Sequence, residues 1–169
     1  MAHWLPRLLK HRLLDESDAR RMLGKDALAR IEARVAASEK RHSGEIRVVV
    51  EAGLPFSYVR RGATPRQRAV ALFGKLGVWD TERNNGVLIY LLLAERAIEI
   101  VADRGLNQVV PASEWARIAE SMRSDFQGRD FEGGLMRAID AVDALLVSHF
   151  AARPGDVDVD ELPNAPLIR

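Results

Sequence analysis

The sequence contains no cysteine, and this absence excludes a disulfide scaffold, a thiolate zinc site and a cysteine nucleophile. Aromatic residues make up only 6% of the 169 residues, and no apolar stretch approaches the ~20 residues of a membrane span. Neither sign of charge dominates, since 25 Lys and Arg oppose 24 Asp and Glu. Because a balanced chain has no global field that attracts nucleic acid, the sequence predicts a globular domain without nucleic-acid binding.

The N-terminus lacks the apolar core of a secretory signal, because Arg7, Lys10 and Arg12 interrupt the leucines there. Residues 4–22 instead predict an amphipathic helix with apolar residues at near-helical spacing. Two interpretations stay open at this point. The helix binds an anionic membrane surface through residues 4–14, or it docks on the domain or on a second subunit. Without a signal or a membrane span, we expect a soluble cytoplasmic protein.

Three parts of the chain differ in composition. We predict an N-terminal amphipathic helix over 1–24, an α/β domain over 25–150 and a flexible, proline-containing tail over 151–169. The tail carries the acidic residues Asp156, Asp158, Asp160 and Glu161. Within 25–150 the patterns predict helices near 26–41, 64–76, 112–126 and 131–150, and strands at 46–50, 87–93 and 97–102. The region 51–62 is predicted to be a loop.

Two features of this region predict the architecture. The nearly continuous apolar run at 87–93 is typical of a central strand that is covered on both faces. The strand–helix–strand order makes 46–50 and 87–93 parallel with a right-handed crossover, and the returning hairpin makes 97–102 antiparallel. The intervening helix begins at Thr64 with a capping-box pattern. We therefore expect an α/β protein, a three-layer α/β/α sandwich with a small mixed β-sheet that includes a β-hairpin.

This topology gathers acidic and polar side chains at one end of the sheet. The candidate metal ligands there are Asp80, Glu82, Asn84, Asn85 and Asp103. Ser43 and Glu45 should approach from the start of the first strand. Carboxylate and amide oxygens are the ligands that Ca²⁺ and Mg²⁺ prefer, so either cation is a candidate. The alternative is that Asn84 and Asn85 serve only the turn, since Asn tolerates positive φ.

The opposite end of the predicted sheet is basic. Four arginines, Arg60, Arg61, Arg66 and Arg68, flank the start of the helix at Thr64. Guanidinium groups beside a helix N-terminus form a possible anion site. The alternative is a solvated basic face.

Familiar catalytic motifs are missing from the sequence. It contains no GxSxG elbow, Walker loop or HExxH pair, and no catalytic residue is assigned. Its four histidines, His3, His11, His42 and His149, show no ligand spacing and are interpreted as surface or internally bonded residues. His42 is the one to check, because it should lie near the acidic end.

Three segments resemble the TPM domain family over about residues 25–150. They are SGEIRVVVEA (43–52), RNNGVLIYLLLAERAIEIVADRGL (83–106) and FEGGLMRAIDAVDALLV (131–147). Asn84, Asn85 and Gly86 match the polar turn of the family, and Glu82 stands where an acidic residue is common. Asp103 and Asn107 depart from the glycine and glutamate that are usual there.

The resemblance implies an α/β/α fold and an acidic pocket that binds a divalent cation, typically calcium, and some members are described as weak phosphatases. We expect a cation-binding interaction or assembly module that associates with a protein partner or with itself. One alternative is a weak phosphatase that uses a metal-activated water. The other is a peripheral membrane protein that binds through the N-terminal basic helix.

Overall fold

The computed structural model describes residues 4–155 and 160–169. The helices are α1 Trp4–Arg12, α2 Glu16–Leu23, α3 Ala27–Glu39, α4 Phe56–Arg60, α5 Pro65–Lys75, α6 Arg104–Asn107, α7 Ala112–Gln127 and α8 Phe131–Phe150. The strands are β1 Ile46–Glu51, β2 Val87–Leu92, β3 Ala97–Ala102 and β4 Leu167–Ile168. His3, Asp156 and Asp158, which the sequence analysis named, lie outside the described residues.

The four strands form one mixed sheet in the order β3-β2-β1-β4. β1 pairs with β2 in parallel, from Ile46 beside Val87 to Glu51 beside Leu92. β2 and β3 form the antiparallel hairpin. The topology predicted for the first three strands is confirmed.

Both faces of the sheet are covered, as the apolar run in β2 predicts. Successive side chains in a strand point to opposite faces. Val48 therefore packs in a core with apolar residues of α2, α3, α7 and α8. Its neighbour Val49 packs in a second core with residues of α4 and α5. This arrangement confirms the three-layer α/β/α prediction.

The start of α5 follows the predicted capping box. The backbone amide of Gln67 donates to the Thr64 hydroxyl oxygen at 3.2 Å, and the amide of Thr64 donates to the Gln67 side-chain oxygen at 3.0 Å. Pro65 occupies the first helical position, where its missing N–H has no cost.

The single N-terminal helix predicted over 4–22 is wrong, because α1 and α2 are separate helices. Asp15 begins the second one with its own capping box: it accepts from the amide of Asp18, whose side chain accepts from the amide of Asp15. A new N-cap ends the preceding helix, since its residue adopts extended backbone angles. The predicted loop at 51–62 likewise contains the short helix α4.

The described part of the C-terminal segment 160–169 does not run free as the predicted tail. It returns to the sheet, where β4 pairs in parallel with β1. Leu162 and Ile168 are both buried. A strand of two residues is too short to leave a periodic pattern in the sequence, which explains the error. The division of the chain at residues 24 and 150 stays a prediction.

Candidate functional site

The loop before β2 and the end of β3 lie together, as predicted. Val87, the first residue of β2, pairs with Ala102, the last residue of β3, and β1 begins at the same end. The amide of Asp103 donates to the carbonyl of the last loop residue at 2.9 Å. We define the acidic end as the loop 80–86, Asp103 and the segment 43–45 before β1.

Asn85 is buried and ties the loop to the segment before β1. Its side-chain amide donates to the Ser43 carbonyl at 3.0 Å and to the Ser43 hydroxyl oxygen at 3.2 Å. Its backbone amide donates to the Thr81 hydroxyl oxygen at 3.1 Å, and the same hydroxyl donates back to its side-chain oxygen at 3.4 Å. Both ends of the side chain are engaged internally, so the role of Asn85 is structural.

Asn84 supports the turn interpretation. Its φ of 53° is left-handed, a conformation that asparagine tolerates. Its backbone carbonyl accepts from the amide of Gly105 at 3.0 Å, and its side-chain oxygen accepts from Arg104 Nε at 3.1 Å. A guanidinium therefore already binds the oxygen that was predicted to bind a cation.

The acidic candidates do not converge. Asp103 caps α6, and its Oδ1 accepts from the amide of Arg104 at 2.6 Å, whereas its Oδ2 is buried without a hydrogen-bond partner among the described residues. Asp80 and Glu82 are exposed. The amide of Glu82 donates to both carboxylate oxygens of Glu161, at 3.2 and 3.1 Å. Within residues 4–155 and 160–169, no three His, Asp or Glu side chains group so as to hold a metal ion.

Glu45 is the acidic residue with the most unusual environment at this end. Only 3% of it is exposed. Burial raises its pKa from 4.5 to about 7, against the opposing effect of hydrogen bonds from the amides of Glu161 and Leu162. The sequence placed Glu45 beside this end but gave no sign that the C-terminal segment would bury it.

The opposite end of the sheet contains an internal charge pair rather than an open basic site. Arg68 donates to both carboxylate oxygens of Glu51, at 3.0 and 2.6 Å, and both side chains are buried. The Tyr90 hydroxyl donates to the same carboxylate at 2.6 Å. Burial and then Glu51 raise the pKa of Tyr90. Sequence reasoning missed both residues: Tyr90 lies in the apolar run of β2 and is interpreted as core, and Glu51 falls in the predicted loop 51–62.

The four arginines do not share one site. Arg68 is neutralised by the internal pair described above. Arg66 donates to the carbonyl of Ile100 and lies 3.7 Å from the Glu99 carboxylate. Arg61 stacks over the ring of Tyr58 at 3.9 Å, and Arg60 is exposed. The arrangement fits the basic-face alternative for Arg60 and Arg61 better than a joint anion site.

Ser38, His42 and Asp143 have the composition of a catalytic triad but not its geometry. The Ser38 hydroxyl donates to Asp143 at 2.8 Å and lies 2.8 Å from His42 Nε2, and all three residues are buried. His42 Nδ1 accepts from the amide of Gly44 at 3.2 Å, which assigns the proton to Nε2. Burial lowers the pKa of His42. A nucleophile has to reach substrate, so this cluster is structural.

One side of α1 is fixed to the domain by polar contacts. Arg7 donates to the Glu95 carboxylate at 2.6 Å and to the Ala63 carbonyl at 2.7 Å. His11 is buried, lies 2.8 Å from Glu95 through Nε2, and accepts from the amide of Leu54 through Nδ1 at 3.0 Å. A β-carbon on Gly53 would lie 2.3 Å from the His11 carbonyl oxygen, so the approach needs glycine there.

The other side of α1 carries exposed leucines. Leu5, Leu9 and Leu13 are 50%, 66% and 77% exposed. Leu5 and Leu9 lie on α1, and Leu13 directly follows it, with its amide still donating to the Leu9 carbonyl at 3.1 Å. Their spacing of four therefore places the three leucines in one row, because each residue advances about 100° around a helix. We call this row the leucine stripe. The exposed cations Lys10 and Arg12 fall on opposite sides of it by the same rule.

Comparison with known families decides the classification of the chain. The family model described as TPM domain matches residues 17–145. The chain belongs to the TPM domain family. No curated protein sequence matches it significantly.

Two solved structures share the fold of this TPM domain. The BA42 protein from the psychrophilic bacterium Bizionia argentinensis is 29% identical with a TM-score of 0.72, over 84% of this chain and 92% of that chain. The N-terminal domain of a protein from P. gingivalis is 21% identical with a TM-score of 0.62, over 83% of this chain and 95% of that chain. At 21% identity, the similarity to the second structure supports a shared fold and nothing about function.

The TPM resemblance implies a divalent cation at the acidic end, where the side-chain oxygens can be compared with the ligands that such a cation needs. Asp103 Oδ2 is a buried oxygen without a described partner, as a ligand would be. The other predicted ligands do not join it, because Asn84 binds Arg104, Asn85 faces inward and the carboxylates are dispersed. Ca²⁺ takes six to eight oxygens. In this arrangement the predicted ligand set does not fit the cation.

Membrane spanning has no support in this TPM domain as described. None of the helices in residues 4–155 and 160–169 has the length and apolarity to span a bilayer.

Proposed function

We propose that this TPM domain is a non-catalytic binding module that attaches reversibly to anionic membrane surfaces through α1. The leucine stripe carries the proposal. Isolated exposed leucines are ordinary in proteins, but here three lie in one row along α1 and the residue that follows it, where they form an apolar strip. The helix is fixed through Arg7 and His11, so the stripe faces outward because of how the helix docks.

The cations on α1 favour an anionic surface, and the exposed carboxylates of Asp15 and Glu16 begin only after Leu13. Lys10 and Arg12 flank the leucines on α1. The neighbouring helix α4 contacts α1 and ends at the exposed Arg60, which the exposed Arg61 follows. A helix with an apolar strip between cations is the pattern of an interfacial anchor.

The expected affinity is modest. Burying the remaining exposed part of a leucine contributes about 1 kcal/mol, and each cation near an anionic bilayer contributes about 1 kcal/mol. Three leucines and two cations give about 5 kcal/mol, comparable with a single myristoyl chain. Binding should therefore be reversible and dependent on anionic lipid.

Vesicle co-sedimentation tests this proposal. The full chain is expected to pellet with vesicles of phosphatidylcholine and phosphatidylglycerol, and much less with phosphatidylcholine alone. Changing Leu5, Leu9 and Leu13 to serine should reduce the bound fraction at least about tenfold, because about 3 kcal/mol of apolar contact is lost.

The matched control changes Val70 and Val109 to serine, since both are exposed apolar residues on other elements. This control should bind vesicles as the unaltered chain does. Equal pelleting of the leucine variant and the control would contradict the proposal. So would a leucine-dependent dimer in light scattering with no vesicle binding, which would assign the stripe to a second copy.

Cation binding stays a prediction of the family resemblance. A thermal-shift titration with millimolar CaCl₂ or MgCl₂ tests it, with Asp103→Asn as the matched variant. From the geometry, we expect that neither metal raises the melting temperature of the unaltered chain by an amount that is lost in Asp103→Asn. A saturable shift that disappears in this variant would establish the site.

Phosphatase activity receives no specific support from the geometry. The Ser38 hydroxyl is internal, and no metal-holding group occurs within the described residues. Turnover of a generic phosphomonoester that persists through repurification and requires added metal would establish the activity.

A further inference from the structure

The outer edge of β1 is paired with only a short strand, β4. β1 pairs with β2 through six residues, but with β4 only at Val49 and Val50. Two further ladder bonds join Arg169 to this edge: its amide donates to Val50 at 2.9 Å, and its carbonyl accepts from Ala52 at 2.7 Å. The pairing alone is too short to hold a segment firmly.

Two buried ionisable side chains, Glu45 and Arg47, hold the rest of the segment, and both bind its main chain. Glu45 accepts from the amides of Glu161 and Leu162, at 3.3 and 3.2 Å. Arg47, which is 7% exposed, donates to the carbonyl of Pro163 at 2.9 Å and to that of Ala165. Among the described residues, neither charge forms an ion pair.

A buried charge is costly unless it is well hydrogen-bonded. Here the compensating groups are backbone amides and carbonyls of one segment, which bends at Leu162 and Ala165 before it pairs with β1 at Leu167–Ile168. Recognition of an extended peptide at a sheet edge works in the same way, with main-chain bonds for affinity and pockets for alternate side chains. Leu162 and Ile168 fill such pockets, because they pack in the two different cores of the domain.

The segment also lies outside the family core. The TPM match ends at residue 145, and α8 ends at Phe150. The segment 160–169 therefore lies outside the part of the chain that the family model matches, and it occupies an edge of the sheet.

We propose that the outer edge of β1, with Glu45 and Arg47, is a peptide-binding site that exchanges its own segment 160–169 for the same segment of a second copy. The second copy is the occupant because its segment reproduces every bond seen here. At low concentration the tethered segment fills the site, since a short tether gives an effective concentration in the millimolar range. Exchange between copies should therefore appear at high protein concentration.

A complementation experiment tests the exchange. Ile168→Asp impairs the segment as a donor, and Arg47→Met impairs the edge as an acceptor. Light scattering at high concentration should show dimers for the unaltered chain and monomers for each variant alone. Mixing the two variants should restore dimers, because the intact segment of the Arg47→Met chain can enter the intact edge of the Ile168→Asp chain.

Val109→Asp is the control for an added surface charge, because Val109 is exposed elsewhere. It should dimerise as the unaltered chain does. A second measurement uses a fluorescent peptide of residues 160–169 on the full chain. It should bind Ile168→Asp at least about tenfold more tightly than the unaltered chain, and a scrambled peptide should not bind.

Three outcomes would overturn the proposal. They are a monomeric unaltered chain at high concentration, a mixture that dimerises no more than its two components, and equal binding of the true and scrambled peptides by folded Ile168→Asp. Circular dichroism of each variant establishes the folded state. Vesicle binding through the leucine stripe does not enter these readouts.

Discussion

At the scale of single residues, the main feature of this TPM domain is that buried polar side chains serve the fold. Arg68 and Glu51 neutralise each other beside Tyr90. Ser38 and His42 are bonded within the protein. Side chains that the sequence suggests as catalytic or anion-binding groups therefore form their hydrogen bonds and ion pairs within the protein.

Arg68→Met should be strongly destabilising. It leaves the Glu51 carboxylate buried without its cation, and breaking such a pair costs about 3–5 kcal/mol. Urea denaturation measures the loss. Arg66→Met is the comparison, since Arg66 is half exposed and its pairing with Glu99 is a surface contact worth about 0–1 kcal/mol. Equal losses in the two variants would contradict the assignment of Arg68 to a buried pair.

Glu45 should make the stability depend on pH. Its folded pKa of about 7 lies above the usual 4.5, so the folded state binds the proton more tightly. The resulting stabilisation is complete below pH 4.5 and is lost as the pH rises to about 7. The Glu45→Gln variant has no carboxyl group to titrate at this position, so its stability does not change with pH in this way. Relative to the unaltered chain, its unfolding free energy should rise by up to about 3 kcal/mol across this range.

Denaturant unfolding at several pH values measures how the difference in unfolding free energy between the two proteins changes with pH. A difference that is the same at every pH does not affect this comparison. Glu82→Gln is the control, because Glu82 is exposed nearby. Parallel profiles for Glu45→Gln and the unaltered chain would show that Glu45 is not desolvated in solution.

At the scale of elements, local signals account for most helices and strands. The predicted starts and ends of α5, α7, α8, β1, β2 and β3 lie within about two residues of those observed. These elements combine clear periodicity with a cap, glycine or proline at an end. The errors fall where the element is short, as in α4 and β4, or where a cap divides one apolar pattern into two helices, as at Asp15.

Asp15→Ala tests that division. It removes the side-chain oxygen that accepts from the amide of Asp18 at the start of α2, and it should cost about 1 kcal/mol in urea denaturation. Asp26→Asn is the matched control, because Asp26 precedes α3 with left-handed backbone angles and no side-chain capping bond. If both variants lose the same stability, the break between α1 and α2 has another cause.

At the scale of the whole molecule, the near-neutral net charge hides a local arrangement. The exposed cations Lys10 and Arg12 flank the leucine stripe, while the acidic end is at the other end of the central strands. The proposed membrane attachment should therefore respond to ionic strength although the chain carries a net charge of only +1.

Raising the salt concentration to about 1 M, where the Debye length is about 3 Å, should release most of the protein from anionic vesicles. Lys10→Gln with Arg12→Gln should show weaker binding and a shallower salt dependence. Lys25→Gln with Lys40→Gln is the matched control, because both lysines are exposed outside α1. Salt-independent binding would indicate a purely apolar contact and contradict the role of the cations.

The sequence by itself determined the layered α/β architecture, the parallel and antiparallel pairing of its first three strands, and membership in the TPM family. The architecture and the pairing follow from periodicity, caps and crossover handedness, which are local or nearly local properties, whereas the family follows from the resemblance of three segments to TPM domains. It also placed Asn84, Asn85 and Asp103 at one end of the sheet. Only the tertiary structure decided which side chains are available to bind a ligand, since Asn84, Asn85 and Arg68 are hydrogen-bonded to distant segments of the chain. The same long-range contacts bury Glu45 under the returning segment and turn the leucines of α1 outward.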